Sequence, residues 1–459
     1  MNIVILGAGQ VGSSLARNLV NEDNDITIID TDKNSLRELR EKLDVHTRCG
    51  YASHPDVLEQ SSVNDADMLI AVTNSDEVNM LSCQVAYSLF RTPKKIARVR
   101  ASGYLQHQEL FSPEGIPVDV IISPEELITR HIQRLIANPG TLQVIDFAND
   151  KVRLVSVKAC HDGPLVGHAI SELGEHLPEV KARVVAVFRN EKSITPDGDT
   201  VIEANDEIFV IASALHIRAV VSELRSVEKP YKRIMIAGGG NIGKRLASVL
   251  EEGRYQVKII EKSPEVANLL AETLDKTIVL EGDVADETLL VEENIAEIDI
   301  FCALTNDDEA NILSAMLAKR LGARKVMSLV NKTGYIDLIE NANVDHAVSP
   351  QQITIGALLA HIRGGDVIAV HSLRKGAAEV IEVVAHGDKD NSRVVGRKHA
   401  DLKLPPGAMI GAIVRNEDEV IIPHQDTEIE ENDHVILFLA DKRYVSAVEK
   451  MFQVGVGYI

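Results

Sequence analysis

The sequence opens with Asn2-Ile3-Val4-Ile5-Leu6, continues with Gly7-Ala8-Gly9-Gln10-Val11-Gly12, and reaches Asp30 at the end of a second apolar run. The first run is short, β-branched and bounded by glycine, which predicts a strand buried on both faces. Apolar residues then recur every four positions from Val11 to Leu19, the spacing of one helical face. The stretch therefore predicts a strand, a glycine turn, a helix, a second strand and a terminal acid.

The spacing of the three glycines suits a bound pyrophosphate. Gly7 permits the tight turn, Gly9 lets the backbone approach the ligand, and Gly12 lets the helix pack on the strand, so phosphates meet the free N–H groups of the helix. Asp30 can accept hydrogen bonds from a ribose and would repel a 2′-phosphate. An acid about twenty residues after such a turn is the context of a dinucleotide site. We therefore predict NAD rather than NADP here; the alternative is a turn that binds nothing.

The same pattern recurs in the second half of the chain. Ile234-Met235-Ile236-Ala237 leads into Gly238-Gly239-Gly240-Asn241-Ile242-Gly243, and Glu261 stands where the first half has Asp30. The correspondence continues along the chain, for example between residues 123–126 and 349–352. A repeat of this length predicts two tandem copies of one fold.

Each copy is predicted to contain a larger and a smaller lobe joined by a helix. The larger lobes alternate β-branched runs with helical patterns, which predicts α/β domains with about six parallel strands in a doubly wound, Rossmann-like sheet. The smaller lobes are richer in strands and are predicted to be α+β. The joining helices begin with capping-box sequences and could serve as a hinge, a dimer contact or a connector packed on its own sheet. The predicted boundaries are 1–122, 123–140 and 141–227 in the first copy, and 232–348, 349–365 and 366–453 in the second.

Polar residues follow the fourth predicted strand in both copies. Thr73 and Asn74, and in the second copy Thr305 and Asn306, stand where this strand gives way to a helix. Ligands of open parallel sheets lie at the carboxyl ends of strands, so these side chains could hold ribose or phosphate oxygens; alternatively they only cap the helix. Arg98 ends the fifth strand and could bind a ligand phosphate or form a surface ion pair. The second copy has no such cation, so we predict two sites that differ in charge and affinity.

Composition argues against several classes of function. The 459 residues suggest about three or four domains, and no apolar run is long enough to span a bilayer. The net charge of -21 argues against a nucleic-acid partner, which a basic surface normally binds. Four scattered cysteines fit a reducing compartment, and the histidines form no ligand cluster. We predict no catalytic residue and no metal site.

Taken together, these features resemble the TrkA family, the regulatory subunits of bacterial Trk potassium-uptake systems, which contain two tandem RCK (regulator of potassium conductance) units. The resemblance rests on the first glycine motif with Asp30, on the duplicated lobes, and on Thr73-Asn74-Ser75-Asp76-Glu77 with its copy Thr305-Asn306-Asp307-Asp308-Glu309. It implies one nucleotide site at 7–12, Asp30, Thr73, Asn74 and Arg98, and another at 238–243, Glu261, Thr305 and Asn306.

The resemblance also implies a function. It implies a non-enzymatic regulator at the cytoplasmic face of the inner membrane, with a potassium-translocating membrane subunit as partner and a homotetrameric ring as its assembly. NAD or NADH is the implied ligand, with ATP or ADP as alternatives. A carboxylate contact to adenine is implied for Asp283, where the first copy has Tyr51. An NAD-dependent oxidoreductase and a redox-sensing DNA regulator are the rival functions.

Overall fold

The computed structural model describes residues 1–20, 24–190, 192–340, 343–362, 367–374 and 378–453. These residues form two six-stranded parallel sheets and two five-stranded antiparallel sheets. Within these ranges, no helix has the length and apolarity needed to cross a bilayer. The chain divides into two compact units, of which the first contains Met1–Ile128 and Pro350–Ile362, and the second contains Thr129–Ser349 and Arg363–Ile459.

The first parallel sheet has the strand order β3-β2-β1-β4-β5-β6. Its strands are β1 (Asn2–Leu6), β2 (Asp25–Asp30), β3 (His46–Cys49), β4 (Met68–Ala71), β5 (Lys94–Arg98) and β6 (Val120–Ile122). Its helices are α1 (Gln10–Leu19), α2 (Lys33–Lys42), α3 (Pro55–Glu59), α4 (Asp76–Val85) and α5 (Ser102–Leu105). The strand order reverses between β1 and β4, which creates a crevice at their carboxyl ends.

The first antiparallel sheet follows a linking helix, α6 (Pro124–Ala137), and has the order β10-β9-β11-β8-β7. Its strands are β7 (Thr141–Phe147), β8 (Val152–Lys158), β9 (Ala182–Arg189), β10 (Lys192–Ile194) and β11 (Glu207–Ser213). Two helices, α7 (Leu173–His176) and α8 (Ile217–Leu224), complete this α+β lobe.

The second parallel sheet repeats the first, with the order β14-β13-β12-β15-β16-β17. Its strands are β12 (Arg233–Ala237), β13 (Gln256–Glu261), β14 (Ile278–Glu281), β15 (Ile300–Ala303), β16 (Lys325–Leu329) and β17 (His346–Val348). Its helices are α9 (Asn241–Glu251), α10 (Pro264–Thr273), α11 (Glu287–Glu292), α12 (Asp308–Arg320) and α13 (Thr333–Glu340). Ile3 in β1 and Ile234 in β12 have equivalent partners in their neighbouring strands. The predicted tandem doubly wound domains are confirmed.

The second antiparallel sheet follows helix α14 (Pro350–Ile362) and has the order β18-β19-β22-β20-β21. Its strands are β18 (Val367–Leu373), β19 (Ala378–Val384), β20 (Ala408–Arg415), β21 (Glu419–Ile421) and β22 (His434–Leu439), and helix α15 (Val445–Phe452) packs on β19. The predicted α+β character of both small lobes is confirmed. Strands β7 and β18, which open the two antiparallel sheets, were not predicted from the sequence, and neither were β10, β19 and β21.

A single apolar core joins the two antiparallel sheets. Phe147 and Phe209 of the first sheet and Phe438 of the second belong to this core. A Cβ atom built on Gly411 in β20 would lie 2.3 Å from Cδ1 of Ile211 in β11. Any larger residue at this position would force the end of the Ile211 side chain to move, so glycine suits the close approach of the two sheets.

Helix α14 lies in the first unit although it belongs to the second copy. It packs on helix α1 and strand β6 of the first parallel sheet. Its apolar residues, including Ile355, Leu358 and Leu359, are buried. An apolar surface on several faces is typical of a helix that is covered on more than one side. The linking helix of the second copy therefore packs on the larger lobe of the first.

Candidate functional site

The first glycine turn lies at the carboxyl end of β1, where helix α1 begins. Gly7 has a φ of 107°, which strongly favours glycine, and a Cβ built on it would lie 3.2 Å from the backbone of Thr73. A Cβ on Gly12 would lie 2.0 Å from the carbonyl oxygen of Gly7. The fold thus requires both outer glycines of the motif.

The middle glycine of each motif has a different environment. No described atom lies within 4 Å of a Cβ built on Gly9, and the same is true of Gly240 in the second copy. Both residues have extended backbone conformations that other residues can adopt. Each precedes the first turn of a long helix, whose N–H groups lack intrahelical partners. The space over both glycines is therefore open where a phosphate would meet these groups.

The acids at the ends of β2 and β13 bind the glycine turns. Oδ2 of Asp30 accepts a hydrogen bond from the backbone N–H of Ala8 at 2.6 Å, and Oε2 of Glu261 accepts one from Gly239 at 2.7 Å. A carboxylate oxygen has two lone pairs, so each acid has further acceptor capacity for ribose hydroxyls. Asp30 and Glu261 thus hold the two glycine turns in place.

Thr73 and Thr305 each bond to a fully buried asparagine. Oγ1 of Thr73 donates to Oδ1 of Asn79 at 2.7 Å, and Nδ2 of Asn79 donates to the carbonyl oxygen of Arg98 at 2.9 Å. Asn311 makes the equivalent bonds to Thr305 and to the carbonyl oxygen of Leu329. The two threonines therefore shape the loop beside the crevice. Their hydroxyl protons are already used in hydrogen bonds to the asparagines.

Several residues around the crevice were not anticipated. The buried residues Asn79 and Asn311 tie adjacent strand ends together, and their occurrence at equivalent positions of both copies was the available sequence signal. The buried Asp76 accepts hydrogen bonds from the backbone N–H groups of Arg100 and Ala101, both at 2.8 Å. In contrast, the side chains of Asn74 and Asn306 are exposed. They make no side-chain hydrogen bond to the described residues.

Arg98 is a half-buried cation without a protein partner. Its Nε atom is buried and has no hydrogen-bond partner in the described chain, although the carboxylates of Glu125 and Asp76 attract its charge. Burial, together with the adjacent Arg100, lowers the pKa of Arg98 below its ordinary value. Buried polar groups are nearly always hydrogen-bonded in complete structures. The surface ion pair considered for Arg98 is absent from the described chain, which favours an anionic ligand.

Glu125 provides a second unpartnered polar group near Arg98. Its Oε2 atom is buried without a hydrogen-bond partner in the described chain, and burial raises the pKa of its carboxyl group. In the second copy, Leu329 ends the strand that corresponds to β5, and Gln351 follows the helix-initiating proline. The two copies therefore differ in charge at these two sequence positions.

The residues that follow the third strand of each parallel sheet also differ between the copies. Oδ2 of Asp283 accepts a hydrogen bond from Nζ of Lys262 at 2.9 Å, and Oδ1 accepts one from the backbone of Ala285. The bond from Ala285 and the charge of Lys262 lower the pKa of Asp283. Tyr51 in the first copy is exposed and lies beside the ring of His54, with 5.1 Å between the ring centroids.

Two of the four cysteines, Cys83 and Cys302, are buried. Burial raises the pKa of the thiols of Cys83 and Cys302 to about 12, so both remain protonated and unreactive near neutral pH. Cys302 lies in the core of the second parallel sheet, as predicted. Among the residues that the structure describes, no group of three or more His, Cys, Asp or Glu residues is arranged to hold a metal ion.

Comparison with known proteins identifies the family. The TrkA-N domain matches residues 3–124 and 234–350, and the TrkA-C domain matches 154–225 and 388–453. The Trk system potassium uptake protein TrkA of Halomonas elongata is 56% identical over 100% of both chains, and that of Vibrio alginolyticus is 57% identical over 99% of both.

Solved structures agree with this result at the level of fold. The crystal structure of the GsuK RCK domain has a TM-score of 0.61 and 19% identity, and covers 98% of this chain and 94% of that chain. The GsuK channel bound to NAD has a TM-score of 0.60 at the same identity, with 98% of this chain and 78% of that chain covered. The resemblance expected from the sequence is thus confirmed, and the chain belongs to the TrkA family, with two tandem TrkA-N and TrkA-C units.

Proposed function

We propose that this chain is a non-enzymatic regulatory subunit of a Trk-type potassium-uptake system. It binds an adenine nucleotide in each of its two glycine crevices. Binding there changes the activity of a potassium-translocating membrane subunit. Two full-length relatives, each more than half identical, are named as potassium-uptake proteins of the Trk system. This similarity supports the transport role, and the crevices support the nucleotide role.

The open space over Gly9 and Gly240 carries the proposal. A glycine that its own fold does not require, at the N-terminus of a long helix and beside an acid that ends the next strand, is explained by a ligand that needs the space. In the first crevice, the unpartnered Arg98 supplies a positive charge for an anion. NAD or NADH fits both crevices, and ATP or ADP presents the same adenosine and phosphate groups.

Regulation then follows from differential binding. The nucleotide shifts the population of lobe arrangements only if it binds one arrangement more tightly than another. A coupling free energy of about 1–3 kcal/mol is typical of such linkage between two sites. We place the chain at the cytoplasmic face of the inner membrane, as a homotetrameric ring in contact with its membrane partner.

Calorimetric titration of the purified chain with NAD, NADH, ATP and ADP tests the nucleotide role. The same chain should restore nucleotide-dependent potassium uptake to cells that lack it. Absence of binding by all four nucleotides would refute the proposal. Oxidation of NADH with any member of a panel of small carbonyl compounds would support the oxidoreductase instead.

Replacing Arg98 with leucine, the residue at the equivalent strand end of the second copy, should weaken nucleotide binding in the first crevice about ten- to a hundredfold. The reason is the loss of a charge-assisted hydrogen bond to a phosphate. Calorimetry should show one weakened site and one unchanged site per chain. Arg40→Leu, which removes an exposed cation from α2, is the matched control and should leave both affinities unchanged. Equal weakening by both variants would contradict a direct contact from Arg98.

The charge difference between the crevices also predicts different salt dependence. Binding at the first crevice should weaken more steeply between low and physiological ionic strength, because its cation acts partly through screened charge interactions. Titrations at several salt concentrations measure the two slopes. Identical slopes at both crevices would show that Arg98 does not interact with the bound nucleotide.

A further inference from the structure

Helix α14 of the second copy is fixed to the first crevice at its N-terminal end. Nε2 of Gln351 donates hydrogen bonds to the carbonyl oxygen of Gln10, at 3.0 Å, and to Oγ of Ser14. Both acceptors belong to the first turns of α1. At the other end of α14, the carbonyl oxygen of His361 accepts a hydrogen bond from Nζ of Lys94 at 2.5 Å. All these residues lie in the first compact unit.

The contact made by Gln351 is close to the part of α1 that would meet a phosphate. Gln10 follows Gly9 directly and is the first residue of α1. The N–H groups in the first turn of a helix have no intrahelical partner and are the groups that bind anions. A ligand bound to these N–H groups would therefore contact the first turn of α1 from one side, and the side-chain amide of Gln351 contacts it from another.

The other end of α14 leads into the second small lobe. Only residues 363–366 separate α14 from β18, the first strand of the second antiparallel sheet. Buried apolar residues hold α14 on the first lobe along most of its length. Helix α14 is thus held on the first lobe at both ends and along its length, so it can respond to a small displacement of the first turn of α1.

The residue type at position 351 suits this contact. An amide can donate hydrogen bonds to a carbonyl oxygen, whereas an ionised carboxylate can only accept them. The first copy has Glu125 at the equivalent position, where Oε2 of its carboxyl group makes no hydrogen bond to the described chain. The difference between Gln351 and Glu125 is consistent with distinct tasks for the two linking helices.

We propose that Gln351 is a positioning residue that couples occupancy of the first nucleotide crevice to the second half of the chain. This inference rests on the proposed nucleotide-binding function and assigns one route for its regulation. Bound nucleotide orders the first turn of α1, and Gln351 passes this ordering to α14, the linking helix of the second copy.

Hydrogen exchange of the full chain with and without ADP or NADH tests the coupling. A Gly240→Asp background restricts binding to the first crevice. With Gln351 present, nucleotide should slow exchange in 350–362. Gln351→Leu should retain nucleotide affinity within about threefold but lose at least half of this protection. Gln133→Leu, on the exposed face of α6, is the matched control and should change neither quantity.

A second variant separates the hydrogen bond from side-chain packing. Gln351→Glu keeps the length of the side chain but cannot donate, so it should also lose the protection; Gln351→His, which can donate, should retain part of it. Full protection in both Gln351→Leu and Gln351→Glu would overturn the inference, as would the absence of nucleotide-dependent protection with Gln351 present. Failure of every nucleotide to bind the unmodified chain would instead refute the proposed function itself.

Discussion

Replacing Gly9 with aspartate is expected to abolish nucleotide binding in the first crevice while leaving the fold intact. The new carboxylate enters the open space that a phosphate needs and repels the phosphate. As an N-cap, it can also accept hydrogen bonds from the free N–H groups of α1. We expect a loss of affinity of about a hundredfold or more, which corresponds to about 2.7 kcal/mol. Calorimetry should show that the chain binds one nucleotide instead of two.

Substitutions at two other motif glycines serve as comparisons for this prediction. Gly12→Ala would place a Cβ atom 2.0 Å from the carbonyl oxygen of Gly7, so this smaller substitution should disrupt the lobe itself. Gly240→Asp should repeat the Gly9→Asp effect in the second crevice. Potassium uptake that responds normally to nucleotide in a chain with both aspartates would contradict the regulatory role of the crevices. Thermal unfolding separates loss of binding from loss of structure.

Replacing Asn311 with alanine is expected to cause a large loss of stability without changing the glycine turn. Its amide donates to the carbonyl oxygens of Thr305 and Leu329, and its carbonyl accepts the backbone N–H of Thr305 at 2.8 Å. Each buried backbone group left without a partner costs about 1–3 kcal/mol. We therefore expect the second larger lobe to lose about 3 kcal/mol or more, measured by urea unfolding followed by hydrogen exchange in that lobe.

A pair of asparagines in the first copy provides the control. Asn79→Ala removes the equivalent buried network and should destabilise the first larger lobe to a similar extent. Asn74→Ala, only five positions away but exposed, should change stability by less than about 0.5 kcal/mol. If Asn74→Ala and Asn79→Ala destabilise the lobe equally, the network does not hold the strand ends together.

The parallel sheets could be predicted because their signals are local. The run from Asn2 to Asp30 contains a complete strand, turn, helix and strand, and its recurrence at 234–261 makes the duplication unmistakable. Strands buried on both faces are apolar without interruption, so their positions are easy to recognise. The acids Asp30 and Glu261 each follow such a run directly, and their places at the strand ends could therefore be predicted as well.

Other features depend on contacts that are distant in sequence. Strands β7 and β18 follow the linking helices, and each is defined by its pairing with the next strand of an antiparallel sheet. The packing of α14 on the other copy cannot be deduced from the sequence of α14, because its apolar surface suits either copy equally well. The orphaned side chain of Arg98 likewise emerges only when every carboxylate in the surrounding structure has been located.

The core shared by the two antiparallel sheets needs both copies of the repeat, which are joined in one polypeptide. A chain cut near residue 230 would give halves that each expose an apolar sheet face, including Phe209 in one half and Phe438 in the other. Two identical halves would then bury these exposed sheet faces by pairing with each other. Covalent fusion instead pairs two halves that differ in sequence, for example Arg98 in one and Leu329 in the other.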